Sequence, residues 1–291
     1  MKKAFLTTLA ILAATFVFGQ GADPDSWMHS DGSLEGFVVG SSYFTMVSDA
    51  NLREKSSTQS NVITKLPIAT SVEIISVSTD SLLLRGVKLP WVQVRTKTTP
   101  ERTGYLWGGF LALANIQTPN EEYMPNAGVQ YLTGVVAYDE AKHQITVQVR
   151  AAKDGKELSK CEFMTNGDLS YYPSFEVVFE SFPKVKAVLS VNYYYPACGY
   201  PSGNNLLFWQ ENNQMTKVLE TSSVSDGGVF YDAEEFILPS QRGGIGDHIV
   251  VTHDHSEFEE KGDDLVRSQQ KFGIVVYKWT GTKLMKVKEL K

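Results

Sequence analysis

Short runs in which apolar and polar residues alternate recur along the whole chain and are separated by turn residues. In the first half, residues 62–66, 72–77 and 91–94 are rich in β-branched and aromatic side chains. Runs of the same kind follow in the second half, at residues 135–138, 145–149, 175–179, 188–195 and 249–252. A period of two residues is typical of β-strands, and no helical period of useful length interrupts it. The pattern predicts an all-β protein.

A hairpin pattern occurs twice in the second half of the chain. Residues 206–220 align without a gap on residues 275–289, with turns at Asn212 and Gly281. Such repeats build radial folds, so partial propeller-like repeats are one interpretation. Two copies also fit paired strands of a sandwich, and a segment of about 160 residues is a usual size for one domain. We therefore expect a larger, sandwich-like β-rich domain there, with propeller-like repeats as the alternative.

The segment from residue 48 to residue 113 combines the features of one small barrel. It opens with Ala-Asn-Leu-Arg at 50–53, continues with Trp-Val-Gln-Val at 91–94 and closes with Gly-Tyr-Leu-Trp at 104–107. This order resembles the bacterial SH3-like domain family, whose members carry Leu-Asn-Val-Arg, Trp-x-x-Val and Gly-Trp-Val or Gly-Tyr-Val in these places. The resemblance covers about a quarter of the chain. It implies an SH3-like barrel that binds cell-wall components, peptides or proteins.

The start of the chain has the parts of a secretory signal. Lys2 and Lys3 precede an apolar run, and small residues follow near residue 19. The run is shorter than a membrane span, and no second one follows, so we expect an exported protein, periplasmic or extracellular, without a transmembrane span after signal removal. An uncleaved anchor is the alternative. The predicted parts are a signal peptide (1–19), a lead-in segment (20–43), the SH3-like barrel (44–114), a Pro-containing linker (115–127) and the β-rich domain (128–291).

The charge of the chain argues against one class of partner. The formal net charge is −6 at pH 7, and loss of Lys2 and Lys3 with the signal peptide lowers it by a further two charges. No basic stripe with interleaved aromatic residues occurs along the sequence. Because a basic surface dominates affinity for nucleic acids, we do not expect nucleic acid to be a partner.

Cys161 and Cys198 are the only cysteines of the chain. An even number of cysteines in an exported chain favours pairing, so the sequence predicts one disulfide between them. Such a bridge would stabilise the fold by roughly 2–4 kcal/mol. Two free, buried thiols are the alternative.

Aromatic residues are the candidates for ligand contact. Tyr105 and Trp107 alternate along the closing strand and so share a face, with Trp91 on the strand before. The family resemblance implies that this region helps to form a binding groove, although the tryptophan stands later than the family pattern has it. The alternative is that Trp91 and Tyr105 are core residues and that Trp107 packs against the second domain. A second candidate surface is the tyrosine-rich segment around Tyr194 and Tyr195, whose rings either contact a ligand or cover the core.

One group of side chains suggests metal chemistry. If the strand from residue 249 continues, then His253, His255 and Glu257 point to one face at strand spacing. Two imidazoles and a carboxylate are a ligand set for Zn²⁺ or another divalent metal. The alternative is a solvated acidic loop, because carboxylates are frequent from residue 257 onward.

Two functions from different classes follow. The first is an exported, non-catalytic cell-envelope protein whose SH3-like module binds a cell-wall, peptide or protein partner, and this function needs no cofactor. The second is a metal-dependent envelope hydrolase that is targeted by its SH3-like module. No Gly-x-Ser-x-Gly elbow, phosphate-binding loop or His-Glu-x-x-His motif supports the enzyme.

Overall fold

The structure is a computed structural model that describes residues 36–121, 126–167, 172–178, 180–194, 198–261 and 264–290. The predicted signal peptide, the first part of the lead-in segment and Tyr195 lie outside the described residues. The described residues form strands and short 3-10 turns, which confirms the all-β prediction. Within these ranges, no helix is long and apolar enough to cross a membrane.

The first sheet spans most of the segment that is predicted to be an SH3-like barrel. Its strands are β1 (Ser42–Phe44), β2 (Ala50–Arg53), β3 (Val62–Leu66), β4 (Ser71–Leu84), β5 (Val87–Thr96) and β6 (Thr103–Trp107). They pair in the order β1-β4-β5-β6-β2-β3. The inner face carries the residues that alternate as apolar in the sequence, and Leu52, Ile74, Val92, Val94 and Leu106 are all 0% exposed. The strand pattern therefore identified the core of the barrel.

The second sheet has four strands and directly follows the barrel. Its strands are β7 (Ala114–Gln117), β8 (Gln130–Asp139), β9 (Gln144–Lys153) and β10 (Lys156–Asn166), in the order β10-β9-β8-β7. Strand β7 extends from the end of the predicted barrel into the segment predicted as a linker, so part of that segment is paired sheet. The division of the chain into domains itself stays a prediction.

The third sheet is an antiparallel meander of eight strands. They are β11 (Tyr172–Val178), β12 (Val185–Tyr194), β13 (Ser202–Gln210), β14 (Met215–Asp226), β15 (Phe230–Ile237), β16 (His248–Lys261), β17 (Asp264–Trp279) and β18 (Leu284–Leu290), and they pair in chain order. The two repeated segments are hairpins, as predicted, formed by β13–β14 and β17–β18. Both hairpins belong to this one sheet rather than to separate propeller blades.

The second sheet packs against both the third sheet and the barrel. On one face, Ile145 and Val147 of β9 share an apolar cluster with Leu189 and Leu207 of the third sheet. On the other face, residues of β8 and β9 pack with barrel residues such as Met46. The barrel is thus attached to the rest of the chain by apolar packing.

The long β4–β5 hairpin of the barrel also reaches the second sheet. Its turn is formed by Arg85 and Gly86, both with positive φ, and the backbone N–H of Tyr138 on β8 donates to the carbonyl oxygen of Arg85 at 2.9 Å. Near the tip, Val87 and Leu89 are 1% and 2% exposed. The turn of this hairpin therefore contacts β8, and Val87 and Leu89 are buried, whereas Leu83 and Leu84 are exposed.

Candidate functional site

The outer face of the barrel brings the predicted aromatic residues together. The β5–β6 register pairs Trp91 with Trp107 and Gln93 with Tyr105, and the β2–β6 register pairs Tyr105 with Arg53. Because directly opposite residues in a sheet project to the same side, these five side chains share one face. The two tryptophans lie at one end of this face. Half-buried residues lie at the other end and form what we call the open row.

The tryptophan end of this face is buried. Trp91 is 4% exposed and Trp107 is 6% exposed, and both belong to the cluster that joins the barrel to the second and third sheets. The indole N–H of Trp107 is satisfied inside the protein by the carbonyl oxygens of Leu82 and Leu89, at 3.1 and 3.2 Å. These two tryptophans are therefore buried rather than part of an exposed surface, which corresponds to the alternative that they pack inside the protein.

The open row consists of Arg53, Ser76, Gln93 and Tyr105, each of which is half-buried. The hydroxyl of Ser76 donates to Oε1 of Gln93 at 3.2 Å, and Nη1 of Arg53 donates to the carbonyl oxygen of Ser60 at 2.6 Å. These bonds hold the polar ends of the row in place beside the Tyr105 ring. The row offers an aromatic ring, an amide and a guanidinium on one strip of sheet.

The tyrosine-rich segment offers a second aromatic surface. Tyr194 ends β12 and is 59% exposed, and Tyr200, a few residues later, is 53% exposed. Tyr193, by contrast, is 5% exposed and packs into the main apolar cluster. The segment thus divides into a ring that fills the core and rings that face solvent, of which Tyr194 was a predicted contact residue.

The predicted metal ligands lie on β16, as the strand pattern indicated. A fourth side chain, that of Asp232, contacts two of them. Asp232 of β15 stands opposite His255 in the register. Its Oδ1 lies 2.9 Å from Nε2 of His253, and its Oδ2 lies 3.0 Å from Nδ1 of His255. Nε2 of His255 is also 3.2 Å from Oε1 of Glu257. The sequence did not reveal Asp232, because only the β15–β16 pairing brings it there.

Asp232, His253, His255 and Glu257 form a His–carboxylate cluster. Its hydrogen bonds shift the pKa values of His255 and Asp232. The pKa of His255 is raised above its ordinary value, first by the bond to Glu257 and then by the bond to Asp232. For Asp232, partial burial raises the pKa, but the bonds from His253 and His255 outweigh it and leave the pKa below its ordinary value. Carboxylate oxygens only accept, so both ring nitrogens of His255 donate when the ring is protonated.

The cluster is therefore arranged for hydrogen bonding among its own members. The imidazole nitrogens that face the carboxylates are occupied by them, and a metal would have to replace those bonds. Across the described ranges, no group of three or more His, Cys, Asp or Glu side chains is placed to hold a metal ion.

The two cysteines are free thiols, so the predicted disulfide is not formed. Cys161 is buried on β10, opposite Val149 of β9, where burial raises the pKa of its thiol. Cys198 is exposed in a turn, next to Gly199, whose N–H donates to the carbonyl oxygen of Ser225 at the end of β14. The even number of cysteines suggested a disulfide. A disulfide also requires the two residues to be close in space, which the number of cysteines does not determine.

Comparison with known proteins adds one finding. A family model described as the bacterial SH3 domain matches residues 48–112, which confirms the resemblance inferred for this segment. The match covers strands β2 to β6 and suggests a module that binds the cell wall or other proteins. No curated protein and no solved structure matches the chain.

Proposed function

We propose that this chain is an exported, non-catalytic protein of the cell envelope whose SH3-like barrel binds a cell-wall component, a peptide or a protein partner. The observation that carries the proposal is the match of residues 48–112 to the bacterial SH3 domain. The signal-like pattern of residues 1–19 supports export.

The open row of the barrel is the contact surface that we assign to this function. Tyr105 supplies a rigid ring with a polar tip, which gives contact area at a low entropy cost. Gln93 supplies both donors and an acceptor for peptide or glycan groups, and Arg53 supplies a guanidinium at the end of the row. Trp91 and Trp107 lie at the buried end of the same face, so we do not assign them to partner contact.

Cosedimentation of the full-length protein with purified cell-wall sacculi tests the proposal. We expect the wild type to sediment with the sacculi and Tyr105→Ala to bind at least tenfold more weakly, about 1.4 kcal/mol. Tyr231→Ala is the matched control, because Tyr231 is an exposed tyrosine on β15 of the third sheet. Equal binding by Tyr105→Ala and the wild type would show that the open row is not the binding surface.

If the wild type does not bind sacculi, the partner is a peptide or a protein. Cross-linking in envelope extracts, with the Tyr105→Ala protein as the reference, then identifies the proteins that depend on the row. Loss of both sacculus binding and Tyr105-dependent cross-links would contradict the proposed function.

The metal-dependent envelope hydrolase remains the alternative function, with His253, His255 and Glu257 as its ligands. Its support is the spacing of two residues along β16, which puts these three residues on one face of the strand. Elemental analysis of the purified protein decides between the two functions. One equivalent of zinc, lost in His255→Gln, would favour the enzyme.

A further inference from the structure

The third sheet curls around a cavity. Strands β11 and β15 are four strand spacings apart, which is about 19 Å in a flat sheet. Residues of both strands nevertheless line one cavity of about 380 Å³. Beyond these strands, Oε1 of Glu180 accepts hydrogen bonds from the backbone N–H and the hydroxyl of Ser240, at 2.9 and 2.5 Å. These bonds hold the two sides of the curl together.

The face of the sheet that lines this cavity is apolar at one end of the strands and polar at the other. Toward one end, Val188, Leu206 and Phe208 are 0% exposed and fill the curl as an apolar core with Trp279. Toward the other end, the same face carries polar residues: Ser190 follows Val188 at strand spacing, and Asn204 precedes Leu206 in the same way. The apolar core therefore stops partway, and the cavity occupies the polar end.

The floor of the cavity is built from buried polar side chains. Ser190 is 2% exposed and Thr221 is 3% exposed, and both line the cavity. Nδ2 of Asn204 donates to Oγ of Ser190 at 2.7 Å, which fixes the Asn204 amide. The hydroxyl of Thr221 makes no hydrogen bond to another described residue. Because Thr221 lines the cavity, its hydroxyl can pair with a bound polar group.

The wall of the cavity carries three carboxylates. Glu176 of β11 and Glu234 and Glu235 of β15 line it. No lysine, arginine or histidine is among the lining residues, and none of the three glutamates forms an ion pair within the described part of the chain. Carboxylates that line a cavity favour a cationic ligand. Phe236 adds an aromatic side chain to the same wall.

We propose that this cavity binds an amino sugar with a free ammonium group. The glutamates would accept from the ammonium, and the hydroxyls and amide of Ser190, Asn204 and Thr221 would pair with the sugar hydroxyls. Phe236 offers an apolar surface for the C–H face of the ring. The volume is at the lower end of the range for small-molecule pockets, roughly 300–1,000 Å³. This site lies on the third sheet and does not depend on binding by the barrel.

Calorimetric titration of the full-length protein with the glucosamine disaccharide tests the proposal. The N-acetylated disaccharide is the matched ligand, because it keeps the rings and hydroxyls but lacks the charge. We expect saturable binding of the glucosamine disaccharide and at least tenfold weaker binding of the acetylated form. Putrescine is the second reference ligand and should also bind at least tenfold more weakly, because it carries charge without hydroxyls.

Protein variants locate the binding. Glu234→Gln should weaken binding of the glucosamine disaccharide about tenfold, and Thr221→Val, which removes the hydroxyl at nearly constant volume, about threefold. Glu211→Gln is the control, since Glu211 is an exposed carboxylate in the β13–β14 turn outside the cavity. Thermal unfolding confirms that each variant is folded.

Three results would overturn the proposal. The first is the absence of saturable binding of the glucosamine disaccharide to the wild type. The second is equal binding by Glu234→Gln and Glu211→Gln. The third is equal affinity for putrescine, which would reduce the cavity to a general cation site.

Discussion

The indole N–H of Trp107 donates to the carbonyl oxygen of Leu89 at 3.2 Å, and it also lies 3.1 Å from the carbonyl oxygen of Leu82. Trp107 ends β6, whereas Leu82 and Leu89 lie on the two arms of the β4–β5 hairpin. The bond therefore connects the closing strand of the barrel to the hairpin that reaches the second sheet. A tryptophan that a sequence pattern places in a binding groove is here a structural link.

The first prediction concerns this link. Trp107→Ala should lower the free energy of unfolding by roughly 3–5 kcal/mol, because it removes a buried ring and leaves a cavity. Chemical denaturation of the full-length protein measures the loss. Trp107→Phe keeps much of the ring and should lose less. A loss below about 1 kcal/mol for Trp107→Ala would contradict the buried position.

The second prediction concerns the hairpin tip. Gly86 has φ +80°, and a Cβ at this position would clash with the carbonyl oxygen of Tyr138 on β8. Gly86→Ala should therefore destabilise the fold by more than the roughly 1–2 kcal/mol that a left-handed conformation costs a non-glycine residue. Gly40→Ala is the matched control, because Gly40 has φ +84° but no heavy atom within 4 Å of its Cβ position. Equal losses in the two variants, measured by denaturation, would contradict the docking of the tip on β8.

The third prediction concerns the thiols. Cys198 is exposed and Cys161 is buried with a raised thiol pKa, so a thiol reagent should modify Cys198 alone in the native protein. After unfolding without a reductant, both cysteines should react. Mass spectrometry of the modified peptides identifies each site. Unfolded protein without reactive thiols would show that the two cysteines pair after all.

The fourth prediction concerns pH. The pKa of His255 is higher in the folded protein than its unfolded value of about 6.5, so the protonated ring stabilises the fold. This stabilisation is fully present below about pH 6.5 and is lost as the pH rises through the folded pKa. Thermal unfolding temperatures measured from pH 6 to pH 9 should therefore fall less steeply in His255→Gln than in the wild type.

His143→Asn is the control for the pH series, because His143 is exposed and has the left-handed backbone that asparagine tolerates. Its pH dependence should match that of the wild type. Parallel curves for all three proteins would show that His255 gains nothing from Asp232 and Glu257.

Local patterns in the sequence predicted many of the strands. The alternation along residues 145–149 and 188–195 predicted strands, and β9 and β12 contain most of those residues. The period of two is a local property, because successive side chains of a strand point to opposite faces wherever the strand lies. For the same reason, the sequence placed His253, His255 and Glu257 on one face of a strand before their neighbours were known.

The sequence by itself determined the all-β class, the SH3-like segment and the two repeated hairpins, since each depends on residues close together in the chain. Only the tertiary structure decided that Trp91 and Trp107 are covered, that Asp232 meets two histidines and that Cys161 lies apart from Cys198. Each of these outcomes depends on which sheet packs on which and on strand register across long sequence separations. Apolar periodicity specifies that a face is buried, but it does not specify what buries it.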